Sequence, residues 1–98
     1  MSQLTFNQAF LGVDGISSQE GLTTTDSVTA LVEETVIVRS QKINILADHS
    51  KIGHIAIISY GNIQGITKTK RLVTDYKTSP EKLNNLKKMG LEVIVVKV

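Results

Sequence analysis

Ile43-Asn44-Ile45-Leu46-Ala47-Asp48 is a β-branched, apolar run that stops on an aspartate. The same shape occurs at Ala9-Phe10-Leu11-Gly12-Val13-Asp14 and at Leu72-Val73-Thr74-Asp75, and a fourth run, Leu91 to Val96, closes the sequence. Short runs of this kind separated by longer, helix-like stretches are the pattern of a parallel sheet with crossover helices. Ligands of such sheets collect outside the carboxyl ends of the strands. The repeated Asp therefore points to one rim as the place to look for function.

The stretches between these runs are consistent with that frame. A first strand is expected from Gln8 to Val13, followed by a polar loop over Ser17-Ser18-Gln19-Glu20-Gly21. Thr25 or Asp26 can cap a helix whose Val28, Leu31, Val32 and Val36 recur on one face at three- and four-residue spacing. Its β-branched end, Thr35-Val36-Ile37-Val38, has weak helix propensity and should be held by tertiary packing. Gln41-Lys42 then connects to a strand over Ile43–Ala47, and Asp48 to Gly53 reads as a strand-end loop with room for one helical turn. Ile55 to Tyr60 is long enough for a strand and continuous enough for a buried helix, and with Gly61 and Gly65 breaking the pattern it is read as an irregular segment or short strand. A third strand is expected at Arg71–Thr74, beside the second or the fourth. Ser79-Pro80-Glu81 starts a helix with a Ser cap and Pro at the first position; Gly90 stops it. Right-handed crossovers are the default between such strands.

Size and composition narrow the class. Ninety-eight residues suffice for one small core. With 41% hydrophobic but only 4% aromatic residues, that core must be built from Val, Ile and Leu. The absence of Cys excludes disulfides and thiolate zinc sites. No apolar run approaches the ~20 residues of a membrane span, and the N-terminus lacks a secretory pattern. A cytoplasmic protein without membrane contact is expected. Charge is polarised: residues 1–38 hold five acids and no base, whereas residues 39–98 hold all eleven basic residues against four acids. The bases are spread out and carry no aromatic stacking platform, so a solvated lysine-rich surface is the simpler reading than nucleic-acid binding.

Polar side chains concentrate at two strand ends. Asp48-His49-Ser50-Lys51 offers a carboxylate and a hydroxyl for sugar hydroxyls and an ammonium for phosphate. The plainer reading is a capped turn with a solvated lysine. Gly12-Val13-Asp14-Gly15 permits tight turning and close ligand approach, or an ordinary strand-to-loop turn. Thr23-Thr24-Thr25 lies near a helix start, where backbone N–H groups favour anions. His49 and His54 lack a clear third ligand, so no metal site is expected. No nucleophile elbow, GxxxxGK[ST] loop or GxGxxG is present. Asp75 reads as a turn-closing residue.

Taken together, Phe10-Leu11-Gly12-Val13-Asp14-Gly15-Ile16-Ser17, Gly21-Leu22-Thr23-Thr24 and Leu46-Ala47-Asp48-His49-Ser50-Lys51-Ile52-Gly53 resemble the DeoR family of bacterial transcriptional regulators. Leu72-Val73-Thr74-Asp75 and Gly90 to Val96 match its closing segments. The resemblance implies an α/β, mostly parallel, Rossmann-like sheet related to ribose-5-phosphate isomerase and glucosamine-6-phosphate deaminase. It also implies an effector-sensing role, in which a phosphorylated sugar controls DNA binding by a helix-turn-helix that this sequence lacks. By that analogy Asp14 and Gly15 line the sugar end, Asp48 and Lys51 make rim contacts, and Thr23 and Thr24 lie nearby. The ligand-binding candidates are thus Gly12, Asp14, Gly15, Thr23, Thr24, Asp48, Ser50 and Lys51. Ile16 stands where the deaminases have the His of Asp-Gly-His, so no catalytic residue and no cofactor is expected. The Gly- and Thr-rich phosphate loop of such domains is also missing, so residues 1–98 correspond to the later part of one sensing domain. A half-sheet exposes an apolar edge and face, which predicts homo-oligomers. A sugar-phosphate isomerase or deaminase fragment and a ligand-free oligomerisation module are the rival readings.

Overall fold

A computed structural model describes residues 6–63, 65–66 and 69–97. Its elements are β1 (Phe6–Gly12), β2 (Gly15–Ser17), β3 (Gly21–Thr24), α1 (Ser27–Arg39), β4 (Ser40–Leu46), β5 (Ile58–Gly61), β6 (Thr69–Asp75), α2 (Pro80–Lys87) and β7 (Glu92–Val96). The main sheet has the order β1-β4-β6-β7, and all three pairings are parallel. Both helices lie in connections between its strands, as the alternation of runs implies. The fold is therefore α/β, and β6 lies beside both the second and the fourth run.

Strand order decides where the core sits. Each strand adds on the same side of its predecessor, so right-handed crossovers place every connection over one face of the sheet. On that face Leu11, Ile43, Ile45 and Leu72 form one buried cluster with Ala30 and Ile37 of α1 and Leu83 and Leu86 of α2. On the opposite face Phe10, Leu46, Ile94 and Val96 are exposed. Ile45 and Leu72 are register partners, as are Leu46 and Val73, so the two faces alternate in step across the strands.

The polar loop expected over Ser17–Gly21 is the turn of a hairpin, Ser18 to Glu20, with Ser17 and Gly21 ending the two strands. β2 and β3 pair antiparallel through Ile16 and Leu22, and β5 joins β3 to complete a second, three-stranded sheet. Ile16 and Leu22 are fully buried, and this apolar pair between polar neighbours is what draws the hairpin onto the core. Of Ile55 to Tyr60, only Ile58 onward is strand.

α1 departs from the expected orientation. Asp26 caps it, its carboxylate accepting from the Val28 N–H at 3.2 Å, but Val28, Leu31 and Val32 face solvent. Ala30 and Ile37 are buried instead, with Val36 packed partly against the core. The helix is apolar on both sides, so periodicity alone cannot tell inside from outside. Its β-branched last turn is held by Ile37 and by the Ser40 hydroxyl, which donates to the Val36 carbonyl at 2.6 Å. β4 starts directly at Ser40, leaving no separate Gln41-Lys42 connection. Ser79 occupies the N-cap of α2 without a side-chain capping bond; Pro80 at the first position sets that start instead. The chain leaves α2 through Gly90 at φ +91°, a conformation that suits glycine.

Candidate functional site

The carboxyl ends of β1 and β4 meet the first turn of α1 around a cleft of about 400 Å³. Gly12, Val13 and Asp14 form one wall, Leu46, Ala47, Asp48 and Lys51 a second, and Thr24, Asp26 and Thr29 the third. This size lies within the usual range for small-molecule sites. Adjacent parallel strands whose carboxyl ends carry Asp14 and Asp48 bring two of the three strand-end aspartates to the same opening.

Asp14 is held from β3. One carboxylate oxygen accepts from the Thr24 hydroxyl at 2.8 Å, from the Thr25 N–H at 3.0 Å and from the Thr25 hydroxyl at 3.4 Å. These bonds, the Thr24 hydroxyl first, lower its pKa below the usual 3.8 and keep it ionised. The other oxygen makes none of these contacts. Asp48 accepts from the Ser50 N–H at 2.8 Å and from the Ser50 hydroxyl, again on one oxygen. The Ser50 bonds lower its pKa too, with a smaller contribution from Lys51. The Lys51 N–H closes the turn onto the Asp48 carbonyl at 3.0 Å. That turn aims the Lys51 side chain at the cleft while Asp48 flanks it.

Five of the eight candidates therefore line one cavity: Gly12, Asp14, Thr24, Asp48 and Lys51. Ser50 stands behind Asp48 as its hydrogen-bond donor. Gly15 and Thr23 lie deeper. Thr23 is fully buried; its hydroxyl donates to the Gly15 carbonyl at 3.2 Å and accepts from the Ala56 N–H at 2.9 Å. A Cβ on Gly15 would stand 2.2 Å from the His54 carbonyl oxygen, so glycine is required for backbone to pass backbone. These two residues fasten the second sheet beneath the cleft rather than face its opening.

Asp26 and Thr29 were not among the residues singled out as ligand candidates. Asp26 shows in the sequence only as a cap, and its second oxygen accepts from the Thr29 hydroxyl at 2.6 Å. Nothing local in the sequence reveals that this first turn faces Asp48, because the encounter depends on β1 and β4 being neighbours. Asp75 does close a turn, accepting from the Lys77 N–H at 2.9 Å. It also takes both the ring Nδ1 of His49 at 2.9 Å and the His49 N–H at 3.0 Å, so it ties β6 to the loop after β4. The His49 ring is the first cause of its lowered pKa. Among the described residues no three His, Asp or Glu side chains are grouped to hold a metal.

The cleft thus presents three carboxylates and one ammonium. Ionised carboxylates are acceptors only, and they suit a ligand rich in hydroxyl donors; among the described residues Lys51 is the one cation lining it. No helix among the described residues is long and apolar enough to cross a membrane.

A family described as the DeoR C terminal sensor domain matches residues 1–76. The chain is 34% identical over 67 residues to an uncharacterized HTH-type transcriptional regulator, FruR, of Bacillus subtilis, covering 68% of this chain and 27% of that protein. It is 28% identical over 95 residues to the HTH-type transcriptional repressor GlcR of the same organism, covering 97% and 35%. It is 23% identical over 94 residues to the HTH-type transcriptional regulator GlpR of Haloferax volcanii, covering 96% and 36%. The chain spans about a third of the length of these relatives. With a sensor-domain match over residues 1–76 and its strand-end residues gathered at one rim, the chain belongs to the DeoR C-terminal sensor domain family.

Proposed function

We propose that this chain is the later part of an effector-sensing domain of a DeoR-type repressor of sugar metabolism, and that the rim cleft takes a phosphorylated sugar. Sugar hydroxyls donate to the carboxylates of Asp48 and Asp14, and Lys51 supplies the charge for phosphate. The observation that carries this reading is that Asp14, Thr24, Asp48 and Lys51, drawn from three separate segments, converge on one opening. In the complete regulator, occupancy of the cleft controls DNA binding by an N-terminal helix-turn-helix; the likeness to three HTH-type transcriptional regulators supports that role. The sheet is Rossmann-like in this reading, the protein cytoplasmic, and the domain binds rather than catalyses, since Ile16 occupies the position of a relay His. A second copy covers the exposed face that carries Phe10, Leu46, Ile94 and Val96.

Calorimetric titration with a panel of sugar phosphates tests the site. At least one member should bind, and Asp48→Ala and Lys51→Ala should each weaken it tenfold or more. Binding that neither substitution touches would remove the assignment. Turnover of the sugar phosphate would restore the isomerase reading instead. Sedimentation equilibrium tests the association, and a monodisperse monomer at all concentrations counts against it.

A further inference from the structure

A second cavity, of about 190 Å³, opens on the other side of the Lys51-Ile52-Gly53 segment. Its apolar floor is Ile16, Ile52 and Leu86, each at most 2% exposed. Its polar rim is Ser17, Ser18 and Gln19 from the hairpin turn and Lys82 and Asn85 from α2. No acidic side chain lines it, in contrast with the rim cleft and its three carboxylates.

Two residues of the rim carry donor groups. Ser17 is only 3% exposed, and its oxygen already accepts from the Glu20 N–H at 3.0 Å. A hydroxyl that accepts in this way can still donate its own proton at the cavity wall. The Lys82 side chain lies across Gly53, whose φ of +84° turns the backbone beneath it; a Cβ there would stand 3.2 Å from Lys82 Cε. The ammonium donates to the Ile52 carbonyl at 3.5 Å and, with three N–H groups, keeps others to offer. Gln19 and Asn85 add amide donors. At ~30 Å³ per water the space holds about six waters, which is room for an anion of a few heavy atoms.

We infer that this cavity is a second binding site, for a small tetrahedral oxyanion such as a phosphate group, with Lys82 as the charged contact and Ser17, Ser18, Gln19 and Asn85 as neutral donors. A single ammonium backed by converging neutral donors over an apolar floor is the arrangement that holds such a group without a metal. The inference does not rest on the sugar-phosphate reading of the rim cleft, because none of its residues lines that cleft.

Amide chemical shifts during titration with inorganic phosphate, at ionic strength held constant with chloride, test it. Saturable shifts are expected at Ser17, Ser18, Gln19, Gly53 and Asn85. Lys82→Gln should weaken them at least tenfold, Lys82→Arg should retain binding within about threefold, and Lys51→Ala should leave it within twofold. Lys82 is exposed on α2, so these variants keep the fold. Shifts that chloride reproduces, that survive Lys82→Gln, or that lie at Asp48–Lys51 instead would overturn the assignment.

Discussion

Leu11, Ile45 and Leu72 on one face of the main sheet are at most 5% exposed, whereas Phe10, Leu46 and Ile94 on the other are 62%, 45% and 38% exposed. The two sets alternate along the same strands and are equally apolar. Hydrophobicity therefore did not choose between them; strand order did. With every strand added in one direction, all crossovers and both helices go to one side. A parallel sheet is normally covered on both faces. Its bare face here has the composition of a core and the exposure of a surface.

Adjacent residues of β4 offer the sharpest way to break this comparison. Ile45→Ala should cost about 2–5 kcal/mol of unfolding free energy, the range for an aliphatic side chain removed from a packed core. Leu46→Ala, one residue away on the bare face, should cost less than about 1 kcal/mol at dilutions where no second copy is bound. Equal losses in urea titrations at those dilutions would mean that the bare face is packed within the single chain.

Gly15→Ala probes how firmly the covered face is clasped by the second sheet. A Cβ 2.2 Å from the His54 carbonyl oxygen forces the backbone apart, and overpacking of this kind costs about 1–3 kcal/mol. Thermal unfolding measures it, and an unchanged midpoint would show that the hairpin moves freely over the core. Phe10→Thr should shift stability by no more than about 0.5 kcal/mol. It should still lower self-association, read by light scattering, because it removes an exposed aromatic from an uncharged edge strand.

The smallest effects belong to pH. Asp14, Asp48 and Asp75 have pKa values held below 3.8 by hydrogen bonds, so their contribution is present above that value and is lost as pH falls through the folded ones. Glu33, on the covered side of α1, has the opposite sign. Burial raises its pKa above 4.5, so it favours the fold at low pH and costs stability as pH rises through the raised value. Asp75→Asn should flatten the acid limb, and Glu33→Gln should flatten the rise-side loss. Urea midpoints between pH 3 and 7 separate the two.

Much of this was legible in the residues. The four apolar runs became the four parallel strands, and Asp26, Pro80 and Gly90 bounded the helices where their local chemistry placed them. Asp14, Asp48 and Lys51 came to one rim because a strand-end residue carries its position with it. What stayed hidden depended on partners distant in sequence. Val28, Leu31 and Val32 formed a regular apolar stripe, yet the strand order turned Ala30 and Ile37 inward. Ser17 to Gly21 read correctly as a polar loop, but the strands on either side of it did not show, because β3 is paired by β5, which lies far along the sequence. Thr23 offered a hydroxyl by composition but spends it on Gly15 and Ala56.

Lys51 faces one cavity while its neighbours Ile52 and Gly53 floor the other, and Ile16 is hydrogen-bonded to this segment from both ends. A partition three residues thick cannot shift on one side alone. If occupancy of either cavity moves it, the affinity of the other changes, and thermodynamic reciprocity makes the factor the same in both directions. The wall between the two cavities is therefore also the shortest path by which one ligand could report on another.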